Sequence, residues 1–443
     1  MVIASTAKGN HVSEGRKAGL FLIFVTVFID LLGFGIVLPL LPRYGEHFEA
    51  GGTTLGLLMA SFSAMQFLFA PVWGRISDRV GRRPILILGL LGSTFFYGMF
   101  GFATSLGKTG MFLGIDALSW LFITRIGAGI AGATIPTAQA YIADITGPKE
   151  RGKGMALIGA AFGIGFTFGP LIGAAFVSAE TGATPSAAPG YVACVLSGMA
   201  ALLSIFILPE SLTKKTTDSL ARRHHWFDIT SFRHALTQPR IGLILLAIFL
   251  TTFAFAQFES TLSLLTQELG FAARSNFFIF AYIGFILTLS QGFLVRRLIP
   301  RLGEYRMGLF GIVLMVIGLL LIGVAGNSGS YTMLYAVLPI SVIGFSATTP
   351  SLQSLLSLNT SDAEQGGILG VGQSISALAR ILGPLAGIIL FKGTKGDLIT
   401  GSITAPYWVG AGIMLLGLIL MTILKSGSTD TESEPEISSP AET

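Results

Sequence analysis

Few residues of this 443-residue chain fall where they could do chemistry. Asp30 opens the run Asp30-Leu-Leu-Gly33-Phe-Gly35-Ile-Val-Leu-Pro39-Leu-Leu-Pro42, 12 residues into an apolar stretch over 18–42. A lone carboxylate at that depth in hydrocarbon is costly, which favours capture of a proton; the alternative is a permanent ion pair with an arginine. Gly33 and Gly35, with Pro39 unable to donate to the Gly35 carbonyl, would loosen the helix beside the acid. Arg125 stands in another apolar stretch, over 116–142, and a guanidinium that stays charged when buried needs a partner or an aqueous cavity. It could set the protonation of a nearby acid, Asp30 first, or form a structural ion pair. Glu259 is the only acid of the stretch over 241–266, among Phe253, Phe255, Gln257 and Phe258. That grouping suits an amphipathic, often cationic, molecule, or else Glu259 merely reaches the membrane interface. Arg380 can hold an anionic group or pair with Glu259, and Gln139 and Gln353 can offer neutral hydrogen bonds. Proton exchange is thus expected at Asp30, Arg125 and Glu259, and a cavity able to bind a small molecule at Gln139, Gln353, Arg380, Phe255 and Phe258.

Such residues must be held by membrane helices. The chain is 52% hydrophobic and 12% charged, with a mean hydropathy of +0.74, whereas soluble domains carry about 25% charged residues. An ordinary cytosolic enzyme is excluded, and no enzymatic activity is expected. Stretches of about 20 apolar residues, enough to cross the bilayer core, occur near 18–42, 55–74, 85–105, 116–142, 154–178 and 191–209. A second series follows near 241–266, 277–298, 307–326, 332–358, 366–391 and 405–424. The expected fold is an all-α membrane protein with twelve transmembrane helices in two six-helix bundles. Residues 1–17 read as a cytoplasmic leader, 18–209 and 241–424 as the two bundles, 210–240 as a cytoplasmic linker and 425–443 as a disordered acidic tail.

Orientation follows from the basic residues. With the N-terminus inside, 21 Lys and Arg lie on one side and 5 on the other, while Arg125 and Arg380 fall within spans. The excess marks the cytoplasmic side and places both termini there. One cysteine, Cys194, excludes a disulfide framework, and five histidines confined to polar segments leave no metal site to expect. His224 and His225 in the linker read as solvated. No cofactor, nucleic acid or nucleotide is expected: Gly127-Ala-Gly129-Ile-Ala-Gly132 lies inside a span with no strand before it, and Gly107-Lys108-Thr109 lacks the opening glycine of a phosphate loop. Asp116, at the start of the fourth stretch, reads as a helix N-cap.

Displacing the chain by 214 residues aligns Pro136 with Pro350, Gln139 with Gln353, and Gly169-Pro170-Leu171 with Gly383-Pro384-Leu385. In all there are 11 identities over 41 positions, so the halves look duplicated. Duplicated bundles around a midplane site are what a rocking transporter is built from. Gly165, Gly169 and Gly173 form a small-residue stripe, and Pro170 removes the bond to the Phe166 carbonyl.

Between the second and third stretches the chain reads Gly74-Arg-Ile-Ser-Asp78-Arg79-Val-Gly81-Arg82-Arg83-Pro84, with an echo in the second half at Gly292, Arg296, Arg297, Arg301 and Gly303. A basic turn that fixes topology accounts for the charge but not for this order of glycine, acid, arginines and proline. The loop resembles the signature of the major facilitator superfamily, in which Gly74, Asp78, Arg79, Gly81, Arg82 and Arg83 would form a cytoplasmic gating loop. Together with the Asp30 run, Arg125-Ile-Gly-Ala-Gly129 and Gly165-Phe-Thr-Phe-Gly169-Pro170-Leu-Ile-Gly173, residues 18–424 resemble the family's twelve-span drug:proton antiporters. The first-span run most resembles the tetracycline-efflux branch. Two departures are Ala128, where many relatives have Gln, and Ala174, where a second glycine usually closes the fifth-span motif. The resemblance implies proton-coupled efflux of small amphipathic drug-like molecules from a bacterial inner membrane by a monomer, with lipid, protons and substrate as partners. It also implies proton transfer at Arg125 and antiport at the Gly165 to Gly173 motif. Alternatives are a facilitator or symporter for a sugar or organic anion, and a receptor or scaffold that does not transport.

Overall fold

In a computed structural model, residues 3–146, 148–181, 183–212, 237–360, 365–393 and 400–429 are described. Of the expected linker over 210–240, residues 213–236, with His224 and His225, lie outside them; of the expected tail over 425–443, residues 425–429 continue the last helix and the rest lie outside. Among the described residues, twelve helices are long and apolar enough to cross a membrane. The first span joins α1 (Ile3–Val37) to α2 (Leu41–His47); α3 (Gly52–Val80) and α4 (Arg82–Ser105) are the second and third. The fourth is α5 (Ala117–Ala131) with α6 (Ile135–Ile145), followed by α7 (Pro148–Ala174) and α8 (Ala188–Phe206). In the second half, α9 (Pro239–Glu268) is the seventh span, and α10 (Ala273–Leu289), a π-helical turn (Ser290–Val295) and α11 (Arg296–Leu302) make the eighth. The ninth to twelfth are α12 (Glu304–Ser328), α13 (Tyr331–Leu358), α14 (Gln365–Lys392) and α15 (Ala405–Thr429). Strands β1 (Met111–Phe112) and β2 (Ile115–Asp116) form a small hairpin before α5, and the Asp116 carboxylate caps α5 by accepting from the Ser119 N–H at 2.7 Å.

Proline chemistry sets the breaks. The first span turns at 38–40 and restarts with Pro42 at the head of α2, where its missing N–H costs nothing. The span therefore runs on to His47, five residues past the apolar stretch read from the sequence, and takes Arg43 into its end. Within the first half the first span packs on the fifth and sixth, and the third on the fourth and sixth; in the second half the seventh packs on the eleventh and twelfth, and the ninth on the tenth and twelfth. The halves meet through the second span on the eleventh and the fifth on the eighth. Glycine permits the tightest of these approaches. A Cβ at Gly169 would lie 2.9 Å from the Leu32 carbonyl oxygen and 3.0 Å from the Gly35 Cα, so the fifth helix rests on the first nearly backbone to backbone. Its repeat partner Gly383 makes the same use of the seventh span, with the Phe253 carbonyl oxygen at 2.8 Å from such a Cβ.

Candidate functional site

In the first half, Asp30, Ser93, Tyr97 and Ser197 converge between the first, third and sixth spans. Asp30 stands about 16 Å along its span from Gly19, at 1.5 Å per residue. Its carboxylate accepts from Ser197 Oγ at 3.3 Å and from the Ser93 hydroxyl. Beside it is a cavity of about one water, lined by Thr26, Val27, Leu86, Leu90, Thr134, Ile135 and Ala138. Every described partner of the acid is a neutral hydroxyl, and no ion pair joins it to Arg125. Tyr97 lies within electrostatic range of both charges. Arg125 is 2% exposed, packs its guanidinium over the Phe62 ring at 4.4 Å, and leaves Nε and Nη1 without hydrogen-bond partners.

A second charged centre lies in the other half. Glu259 and Arg380 are near enough to feel each other's charge, although no ion pair within 4 Å joins them among the described residues. The seventh helix continues nine residues beyond Glu259 to Glu268, which sets the acid about 14 Å inside the end of its span. Arg380 is exposed although it sits mid-span. Its face of the eleventh helix, shared with exposed Gln373, lies between the seventh-span contacts of Gly383 and Gly387 and the second-span contact of Leu385; exposed Leu378 and Leu382 occupy the opposite face. Arg380 thus points between the bundles, away from lipid. Gln353 is exposed and lines a small cavity with Ile248, Thr251, Thr252, Thr349 and Leu352, and Gln139 is exposed on the fourth span. Phe255 stacks on Phe345 at 3.7 Å between ring centroids, whereas Phe258 is fully buried among Phe255 and Tyr407. Phe258 thus belongs to the bundle's interior packing.

At the basic face, the loop between the second and third spans is closed by charge. Arg82, 4% exposed, reaches Asp78 Oδ1 at 2.5 Å, Asp144 Oδ2 at 3.1 Å and Ser77 Oγ at 2.7 Å. Glu210 accepts from the backbone N–H of Arg82 at 2.9 Å and of Arg83 at 3.2 Å, supplying a cap to α4 from the end of the sixth span. Gly81 has φ +114°, and a Cβ there would strike the Glu210 carboxylate, so both conformation and space demand glycine. Arg83 donates to the Ile205 carbonyl, Arg79 is exposed, and Gly74 has open space around its Cα. Glu210 and Asp144 were not among the residues expected at this loop. An inventory of acids as well as bases on the basic face would have raised them. Glu210→Ala is expected to cost about 1 kcal/mol of stability, read as a lower apparent Tm of the purified protein, with Glu210→Gln losing less because it keeps an acceptor oxygen; equal Tm values for all three would remove the cap.

The two halves are fastened together at the opposite face. The 38–40 break leaves the Pro39 carbonyl outside the helical bonding, and it accepts instead from Ser263 Oγ at 2.8 Å and Asn276 Nδ2 at 3.1 Å of the other half. Asn276 also donates to Ser263 Oγ at 3.0 Å and accepts from Thr266 Oγ1 at 2.7 Å. Arg43 donates to the same Thr266 hydroxyl at 3.0 Å and to the Phe271 carbonyl at 2.9 Å. Lys392 pairs with Glu46 at 2.5 Å, and Arg274 donates to the Ala174 and Val177 carbonyls at 3.2 and 3.1 Å.

Two duplicated six-helix bundles, fastened at one face and presenting polar side chains between them, define a multi-pass membrane transporter. The family model for the Major Facilitator Superfamily matches residues 23–384 and 301–443, and the chain belongs to that superfamily. It is 31% identical over 412 residues to the class E tetracycline resistance protein of Escherichia coli, covering 91% of this chain and 94% of the relative. It is 28% identical to multidrug resistance protein 2 of Bacillus subtilis (strain 168), covering 94% and 98%. Among solved structures, the human organic anion transporter MFSD10 matches with a TM-score of 0.66 at 26% identity, covering 92% of this chain and 99% of that one.

Proposed function

We propose that the protein is a proton-coupled exporter of small amphipathic drug-like molecules that works by alternating access, with Asp30 as the proton carrier. The observation that carries this reading is the mid-span carboxylate of Asp30, beside a water-sized cavity and met by hydroxyls rather than a cation. A fixed structural acid would need a positive partner to offset its desolvation; a group that must gain and lose a proton needs neutral ones. The similarity to tetracycline and multidrug resistance proteins supports export. Fastening at the face expected to be external, with Arg380 exposed between the bundles, fits a state open to the cytoplasm. Cytoplasmic termini, an inner-membrane location and a monomeric working unit belong to the same reading.

The proton site and the substrate site then occupy different places. Asp30 turns into the first bundle, whereas Arg380 faces the space between bundles, so proton and substrate are coupled through movement of the first span rather than by contact. A second reading, carriage of an organic anion, is favoured by accessible Arg380 and by the 26% identity to the human organic anion transporter. Proteoliposomes with an imposed pH gradient separate the two. Substrate gathering on the acidic side supports antiport, co-movement of an anion with protons supports the second reading, and absence of flux for cationic, zwitterionic and anionic amphiphiles alike removes both.

A further inference from the structure

The eighth span carries a row of residues that the transport reading does not use. Phe285, Leu289 and Phe293 are each more than half exposed, and the same spacing of four continues to Arg297 and Arg301, both exposed at the basic face. In a regular α-helix a step of four drifts by about 40°, so a row of five would wind around the helix. The π-helical turn over Ser290–Val295 has more residues per turn and rotates the chain back, which keeps the row on one side. Apolar side chains thus run along the membrane-facing surface and end in two cations at the headgroup level.

The arginines of this loop differ from their first-half counterparts. Counting back from the turn glycines, Pro300 stands where Asp78 does; after the glycine, Glu304 stands where Arg82 does and accepts from Ser354 Oγ at 3.3 Å. Arg82 pairs with Asp78 and Asp144, and Arg83 donates to the Ile205 carbonyl. Among the described residues, Arg296, Arg297, Arg301 and Arg306 are all exposed and take no hydrogen bond or ion pair. Arg297 lies over the Phe293 ring at 5.9 Å. Like charges four residues apart on a helix repel, so Arg297 and Arg301 call for an anion, and the open space at Gly292 leaves room beside Phe293 for a chain to lie.

We propose that this row binds an anionic phospholipid from the leaflet at the basic face, its acyl chain along Phe285, Leu289 and Phe293 and its phosphate between Arg297 and Arg301. Headgroup attraction and chain burial act together, because neither two exposed arginines nor an ordinary lipid-facing row would select one lipid class. The test uses the detergent-purified full chain in native mass spectrometry with phosphatidylglycerol or phosphatidylcholine added at equal concentration. Phosphatidylglycerol is expected to be retained preferentially, and R297Q/R301Q to weaken its binding by about 30-fold without changing phosphatidylcholine binding. Both side chains are exposed, so the variant should keep its apparent Tm. Phe293→Ser is expected to weaken both lipids. Undiminished phosphatidylglycerol binding in R297Q/R301Q would overturn the proposal, as would its displacement by inorganic phosphate at the same concentration, which would make the site one for a free anion.

Discussion

Asp30→Asn is expected to abolish proton-driven transport while leaving the protein folded and able to exchange substrate. Asparagine is nearly isosteric and can keep the hydrogen bonds from Ser93 and Ser197, so the packing around the first span should survive. What it loses is the ability to bind and release a proton, and it resembles the protonated acid permanently. With one proton exchanged per cycle, a gradient of one pH unit supplies about 1.4 kcal/mol, enough for about a tenfold concentration ratio. The sign follows from exchange: protons leave the acidic side, so substrate gathers there. Wild-type proteoliposomes should approach the tenfold ratio and the variant should stay near unity, although counterflow of labelled against unlabelled substrate continues in both. A variant that still concentrates substrate would remove Asp30 from the coupling, and Glu259→Gln tested alongside would show whether the second acid carries the proton. Loss of counterflow as well would assign Asp30 to substrate binding or to the fold.

Much of the architecture could be read from the sequence because a bilayer imposes one-dimensional rules. Apolar stretches of sufficient length gave all twelve spans, and their ends differ where proline restarts a helix, as at Pro42. The basic loop between the second and third spans was legible through Gly81, whose positive φ leaves a trace in the residue type, and through the order of its arginines. Its partners were not. Glu210 and Asp144 lie 129 and 63 positions from Gly81 along the chain, and an acid at the end of a span has no local pattern that tells which backbone N–H or guanidinium it meets. Depth along a helix can be counted, so the mid-span position of Asp30 and Arg380 was accessible to arithmetic; azimuth could not be. Whether Asp30 looks into its own bundle or into the space between bundles depends on which faces the neighbouring helices cover. The same limit hid Phe258, which shares its stretch with Glu259 but turns to Tyr407.

The separate placement of the two charged centres has a mechanical consequence. If Asp30 and Arg380 never share a ligand, the cycle needs an element that reports the state of one bundle to the other. The first span is suited to this: Asp30 lies on it, Gly35 meets the fifth span, and its turn at 38–40 presents the Pro39 carbonyl to the second half. Protonation can then alter how the first span sits against the opposite bundle without contact with substrate.

Asn276→Leu tests that link at the fastening and is expected to shift the protein toward a state open at the face opposite the basic loops. Leucine fills a similar volume but donates nothing to Pro39 or Ser263 and accepts nothing from Thr266. In the closed arrangement the variant loses three buried hydrogen bonds while Ser263 still donates to Pro39, a net cost of about 1 to 3 kcal/mol; once the face opens, water replaces the lost bonds and the cost disappears. The penalty therefore falls on one state, and the ratio of open to closed forms should rise by about 5- to 150-fold. Lys392→Gln should act in the same direction but more weakly, because the Lys392 and Glu46 side chains are 21% and 29% exposed and partly screened. Cys194 is the chain's single cysteine, so spin labels at Lys108→Cys and Thr332→Cys in a Cys194→Ser background report the separation of the two halves at that face. The long-distance population should grow in the order wild type, Lys392→Gln, Asn276→Leu. An unchanged distance distribution in Asn276→Leu, with the protein folded by its apparent Tm, would mean that the Pro39 carbonyl and its two donors stay joined or play no part in holding the halves, and the coupling would have to run through the second and eleventh or the fifth and eighth spans instead.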